Sequence, residues 1–130
     1  MSYLLDTHVL LWVLSRSERL PDNVRTELAD PANRLVVSAV SAFEIATKNR
    51  LGKLPGVGAL LFAWTERLSD LGAEELAVRG PHAVLAGSMS WTHRDPFDRM
   101  LVAQSVIEDL VLVTSDAAIQ RGPTSRLLGF

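Results

Sequence analysis

Apolar positions along this chain come in short blocks with different periods. Tyr3, Leu4 and Leu5 form a compact apolar run that stops on Asp6, and Val9, Leu10, Leu11 and Trp12 follow with helical spacing. The run fits a strand buried on both faces that passes at once into a helix, which puts Asp6 at the carboxyl end of that strand. In open α/β sheets this is the edge where ligands bind. Residues 15–19 are polar, and Leu20-Pro21-Asp22 restarts a helix, Pro21 near its first turn, that ends near Asp30-Pro31. Leu35-Val36-Val37-Ser38 reads as a second buried strand, with Ser38 placed to cap a helix over Ala39–Leu51 that stops at Gly52.

Further on, Leu60, Leu61, Trp64, Leu68 and Leu71 predict one helix between Val57 and Leu71, closed by Gly72. Glu74–Val78 suits a short edge strand whose glutamates discourage edge pairing. A small helix is expected over Pro81–Ala86, then a loop from Gly87 to Arg94. Asp95 as N-cap and Pro96 at the first helical position start the next helix, through Gln104. Leu110–Thr114 is the strongest strand signal; it runs into Ser115-Asp116 and a short helix, and the tail from Arg121 to Phe130 suits a last short strand. Strands alternating with helices predict a three-layer α/β fold with a mostly parallel sheet. No repeat, low-complexity stretch or linker interrupts it, so one domain is expected over residues 1–130.

Composition narrows the chemistry. With 48% hydrophobic residues among 130, the chain can build one proper core. A net charge of −2 lacks a strongly basic footprint, so any nucleic-acid contact needs a local patch or a bound cation. The absence of cysteine excludes disulfides, thiolate zinc sites and Cys nucleophiles. Asp6 and His8 break the apolar run nearest the N-terminus and no basic segment precedes it, so a cytoplasmic location is expected. No G-x-S-x-G elbow, P-loop or G-x-G-x-x-G is present.

Of the 15 acids, most sit in polar surroundings, but three do not. Asp6 ends a buried strand, Asp116 follows another, and Glu44 lies among Ala42, Phe43, Ile45 and Ala46. If the strands before Asp6 and Asp116 are neighbours, the two carboxylates meet. At roughly 4–5 Å they repel by about 4 kcal/mol at an effective dielectric near 20. Such a cluster holds protons or a hard cation, and all-oxygen ligation favours Mg²⁺ or Mn²⁺ over zinc. Each acid also has a plainer reading. Asp6 and Asp116 can cap the helices that follow, Glu44 can pair with Lys48 at i+4 on the surface, and Asp98 sits favourably at N3 behind the Asp95 cap. His8 and His93 read as structural or exposed, because neither falls in a His-ligand spacing.

Four segments together resemble PIN-domain ribonucleases, and within them the VapC-type toxins of toxin–antitoxin pairs. They are Leu4–His8, Ser38–Ala46 with Lys48 and Arg50–Leu54, His93–Gln104, and Leu112–Asp116. The resemblance implies a five-stranded parallel sheet of order 3-2-1-4-5 flanked by helices. It also implies that Asp6, Glu44, Asp98 and Asp116 are the catalytic quartet holding Mg²⁺ or Mn²⁺, with Thr7 or Ser115 as supporting hydroxyls, and so replaces the capping role that spacing alone favours for Asp98. The implied activity is endoribonuclease cleavage of RNA that inhibits translation and growth. Implied partners are a VapB-type antitoxin and a second copy in a homodimer, and Leu60, Leu61, Trp64 and Leu68 are candidates for those surfaces or for the core. Lys48, Arg50, Lys53, Arg94 and Arg99 are candidates for phosphate contacts. Two competing readings are a catalytically silent binding module on the same fold and a Mg²⁺-dependent receiver- or phosphatase-like domain. The second would need a further acid beside Asp6, where Thr7 and His8 stand.

Overall fold

In the computed structural model, which describes residues 1–124 and 126–130, five strands form one all-parallel sheet of order β3-β2-β1-β4-β5. They are β1 (Ser2–Leu5), β2 (Arg34–Ser38), β3 (Ala73–Leu76), β4 (Val111–Thr114) and β5 (Leu127–Gly129). The tail strand is therefore present, and Ser125 of that tail lies outside the described residues. The helices are α1 (Thr7–Ser15), α2 (Asp22–Ala29), α3 (Ala39–Arg50), α4 (Gly58–Phe62), α5 (Trp64–Leu71), α6 (Gly80–Ser88), α7 (Pro96–Ile107) and α8 (Ala117–Gln120). A 3₁₀ turn over Ser17–Arg19 links α1 to α2.

The central strands are apolar throughout because both faces are covered. Alternation sorts their side chains: Tyr3, Leu5, Leu35, Val37, Val111 and Val113 join one core, with residues of α1, α2, α4 and α5. Leu4, Val36 and Leu112 join a second core on the opposite face, with Leu101, Val102 and Ile119 of α7 and α8. These are the three layers that the alternating pattern predicts.

Helix starts fall where the capping residues place them. The Ser38 hydroxyl accepts from the amide of Val40, and Asp95 accepts from the amides of Phe97 and Asp98 with Pro96 opening α7. The helix expected over Val57–Leu71 is two. At Ala63 the backbone leaves helical geometry (φ −113°, ψ 35°), leaving Phe62 94% exposed, and α5 starts in a direction that brings the Trp64 indole N–H to Glu75 of β3 at 2.7 Å. No proline or glycine marks that break. The expected helix over Pro81–Ala86 is longer, Gly80–Ser88, which shortens the following loop. Leu60 and Leu68 are buried, and Leu61 and Trp64 pack against the same core, so this stripe serves the interior. Among the described residues, no helix is long and apolar enough to cross a membrane.

Candidate active site

Because β1 and β4 are neighbours with Leu5 opposite Val113, the residues that leave them come together. The amide of Asp6 donates to the Val113 carbonyl at 3.0 Å, extending the pairing one step beyond β1. The Thr114 hydroxyl donates to Asp6 Oδ2 at 2.6 Å and accepts the amide of Asp116 at 3.0 Å, so one buried threonine ties the two acids. Asp6 is only 5% exposed and makes no side-chain cap to α1. Its carboxyl is raised above the ordinary range by burial, with the charges of Glu44 and Asp116 adding to the effect against the Thr114 hydrogen bond and His8. Asp116 does cap, accepting from the amides of Ala118 and Ile119 through Oδ1. Ser115, expected as a supporting hydroxyl, makes no side-chain hydrogen bond among the described residues, and Thr114 takes that place: the last residue of a strand still faces its neighbour, and the residue after it does not.

Glu44 enters from α3. The Thr7 hydroxyl donates to Glu44 Oε1 at 2.6 Å and also bonds the Ser41 hydroxyl at 2.9 Å, a turn earlier on α3. Lys48 bonds Glu44 Oε2. The i+4 pair read from the sequence therefore exists, but it is not a surface pair, since Glu44 is 3% exposed. Burial lowers the affinity of Lys48 for its proton, yet the hydrogen bond and charge of Glu44, with Asp95 and Asp98, outweigh this and hold its pKa above the usual lysine value.

Asp98 enters from the first turn of α7. It is buried, and its carboxyl is pushed up to about 7 by burial and by the charges of Asp95, Asp6 and Asp116, against the hydrogen bond of His93. The His93 ring meets Asp98 Oδ2 through Nε2 at 2.7 Å, which gives the histidine read as structural or exposed a specific partner in one of the expected acids. Among the described residues, His93, Asp95 and Asp98 are the one group of three or more acidic or imidazole side chains whose ligand atoms all lie within 4.8 Å of one another. The four expected acids thus share one field while staying farther apart than that triad.

Arg99 is committed elsewhere. Its Nε donates to Ala86, its Nη1 to Trp91 and His93, and its Nη2 to Met89, each time to the backbone carbonyl. Four of the five guanidinium donors are used in fastening the loop that delivers His93, so Arg99 is not free for phosphate. Arg50, Lys53 and Arg94 are exposed. Sequence reasoning missed Thr114, Ser41 and the task of Arg99. A hydroxyl at the end of the strongest strand was the available signal for Thr114; nothing local marks the other two.

A chain of the crystal structure of VapBC2 from Rickettsia felis bound to a DNA fragment from their promoter matches this fold with a TM-score of 0.66. Sequence identity is 16%, covering 100% of this chain and 99% of that one, a likeness of fold. Comparison with curated protein sequences finds no match. A family described as the PIN domain matches residues 3–123, a span that includes Asp6, Glu44, Asp98 and Asp116. With nearly the whole chain inside that match, the protein belongs to the PIN domain family.

Proposed function

We propose that this protein is a divalent-metal-dependent endoribonuclease and the toxin of a toxin–antitoxin pair. The observation that carries the reading is the convergence of Asp6, Glu44, Asp98 and Asp116 on one end of a parallel sheet, where Asp6 and Asp98 hold their protons more tightly than ordinary carboxyls. Carboxylates crowded this way without enough counter-charge fit a hard divalent cation. Mg²⁺ keeps several of its waters, so acids spaced more widely than direct ligands can share it through them. Asp6 and Asp98 are the ligands we assign first, with Glu44 and Asp116 completing the shell.

When bound, Mg²⁺ or Mn²⁺ supplies positive charge for the phosphoryl and leaving oxygens and lowers the pKa of a water. The chain's own groups do the positioning. Thr114 holds Oδ2 of Asp6 and His93 holds Oδ2 of Asp98, which leaves Oδ1 of each without a side-chain partner among the described residues and open to a cation. Thr7, itself bonded to the Ser41 hydroxyl, holds Oε1 of Glu44, and Lys48 offsets part of the negative charge. Neutralised acids would let an RNA strand approach a chain of net charge −2, with Arg50, Lys53 and Arg94 as exposed cations nearby.

A nuclease of this kind needs restraint inside its own cell, and the VapBC2 neighbour is a complex. An apolar hollow of about 470 Å³ lined by Phe43, Val78, Phe97 and Met100 supports a VapB-type antitoxin partner here, since Phe43 and Phe97 directly precede Glu44 and Asp98. A homodimer is part of the same proposal. The deciding experiment is RNA cleavage by the purified chain in Mg²⁺ or Mn²⁺ against EDTA, beside Asp6→Asn and Asp116→Asn. Cleavage that needs the metal and collapses in both variants is the expected result; cleavage in EDTA, or full activity in both variants, overturns the proposal.

A further inference from the structure

Alongside α1 runs a groove that the proposal above leaves unused. One wall carries His8, Trp12, Arg16 and Arg19; the other is residues 54–57, just after Lys53. Its volume is about 560 Å³, within the range of sites that hold a small-molecule-sized group. His8 and Trp12, one helical turn apart, have ring centroids 6.2 Å apart at an interplanar angle of 51°. Arg16 and Arg19 are exposed, and neither guanidinium has a hydrogen bond or ion pair among the described residues. No carboxylate lines the groove among those residues. In a chain of net charge −2, this is a local reversal of sign.

The groove begins beside the acids. His8 follows Thr7, whose hydroxyl holds Glu44, and lies two residues after Asp6. At a rise of 1.5 Å per residue, Arg16 stands about 12 Å farther along α1 than His8. That is too far to touch the phosphate being cleaved and well placed for another phosphate of the same strand. Arginines that track a backbone, interleaved with aromatic faces that accept any base, are how single strands are held. A paired strand keeps its bases stacked inside the helix and cannot offer one.

We infer that this groove is a subsite for single-stranded RNA flanking the cleaved bond. Arg16 and Arg19 take phosphates, and the His8 and Trp12 faces take one unpaired base. The inference rests on reading the acids as a ribonuclease site, and its test separates the two. A fluorescein-labelled single-stranded RNA of randomised sequence is titrated with the full chain in Mg²⁺, in an Asp116→Asn background that blocks cleavage, at several salt concentrations.

Adding Arg16→Ala with Arg19→Ala is expected to weaken binding about tenfold or more and to lower the slope of log K against log salt by about 1.4, the loss of two phosphate contacts to a single strand. Arg34→Ala, at the amino-terminal end of β2 and so at the opposite end of the strands from Asp6, is expected to change neither. Trp12→Phe is expected to keep the affinity while losing most of the quenching of tryptophan emission by RNA. If the double variant binds as tightly as its parent with the same salt slope, while the wild-type chain cleaves RNA, the subsite is wrong, the nuclease reading stands, and the groove is left to a protein partner. If the wild-type chain cleaves no RNA in either metal, both readings fall.

Discussion

On the proposed reading, Asp6 serves chemistry against stability. Its carboxyl is nearly closed off from water, and burial alone disfavours the charge that a cation would require. Asp6→Asn keeps the shape and removes the charge, so in EDTA it is expected to melt higher than wild type by about 1 kcal/mol while losing RNA cleavage; calorimetry beside the cleavage assay checks both halves. Thr114 gives the opposite balance. Thr114→Val strands the amide of Asp116 and frees the Asp6 carboxylate, at an expected cost of about 1–3 kcal/mol in denaturant melts, and Thr114→Ser restores most of it. The acids were legible because carboxylates stand out against apolar neighbours. A threonine at the end of a β-branched strand does not stand out, and His93 was hidden because its partner is another acid and not a second histidine.

Among the elements, α7 is the one most completely written in the sequence. Asp95, Pro96 and the apolar residues after them fix its start, and Asp95→Ala is expected to cost about 0.5–2 kcal/mol through the lost cap. The loop before α7 is fixed by something no local pattern reveals, a single guanidinium that collects four carbonyls from residues 86–93. Arg99→Lys cannot reproduce that fork. It is expected to speed amide exchange across residues 89–94 and to loosen the contact of His93 with Asp98, with the sheet's exchange unchanged; mass-resolved hydrogen exchange reads both. The break at Ala63 belongs to the same class, since Leu60 and Leu68 satisfy helical spacing whether or not the helix is continuous.

For the molecule as a whole, the sheet order follows from chemistry that the sequence states only in part. Alternating strands and helices imply parallel pairing, but which strands are neighbours was supplied by the family resemblance, because five short apolar strands carry no label for their partners. Placing β1 beside β4 is what ties Asp6 and Asp116 to one threonine, and their charges, added to the burial of Asp98, give the stability a pH dependence with a definite sign. The Asp98 carboxyl stands at about 7 in the folded chain against 3.8 ordinarily. Between those values the folded state keeps a proton that the unfolded chain has released, so without metal the stability falls as pH rises from about 4 to about 7. Melting in EDTA across that window is expected to show the decline, and Asp98→Asn to flatten it. Mg²⁺ is expected to raise the melting temperature most at the upper end of the window, where the carboxyl has given up its proton.

On the proposed reading, the ammonium of Lys48 is a tethered understudy for the divalent ion. Seated against Glu44 and within the field of Asp95 and Asp98, it offsets part of their mutual repulsion, and in the proposed nuclease an arriving divalent ion would have to dislodge it. Removing that charge, as in Lys48→Met, is expected to leave the empty protein more fragile on heating but to tighten its uptake of Mn²⁺, measured by the loss of the free-ion paramagnetic resonance signal.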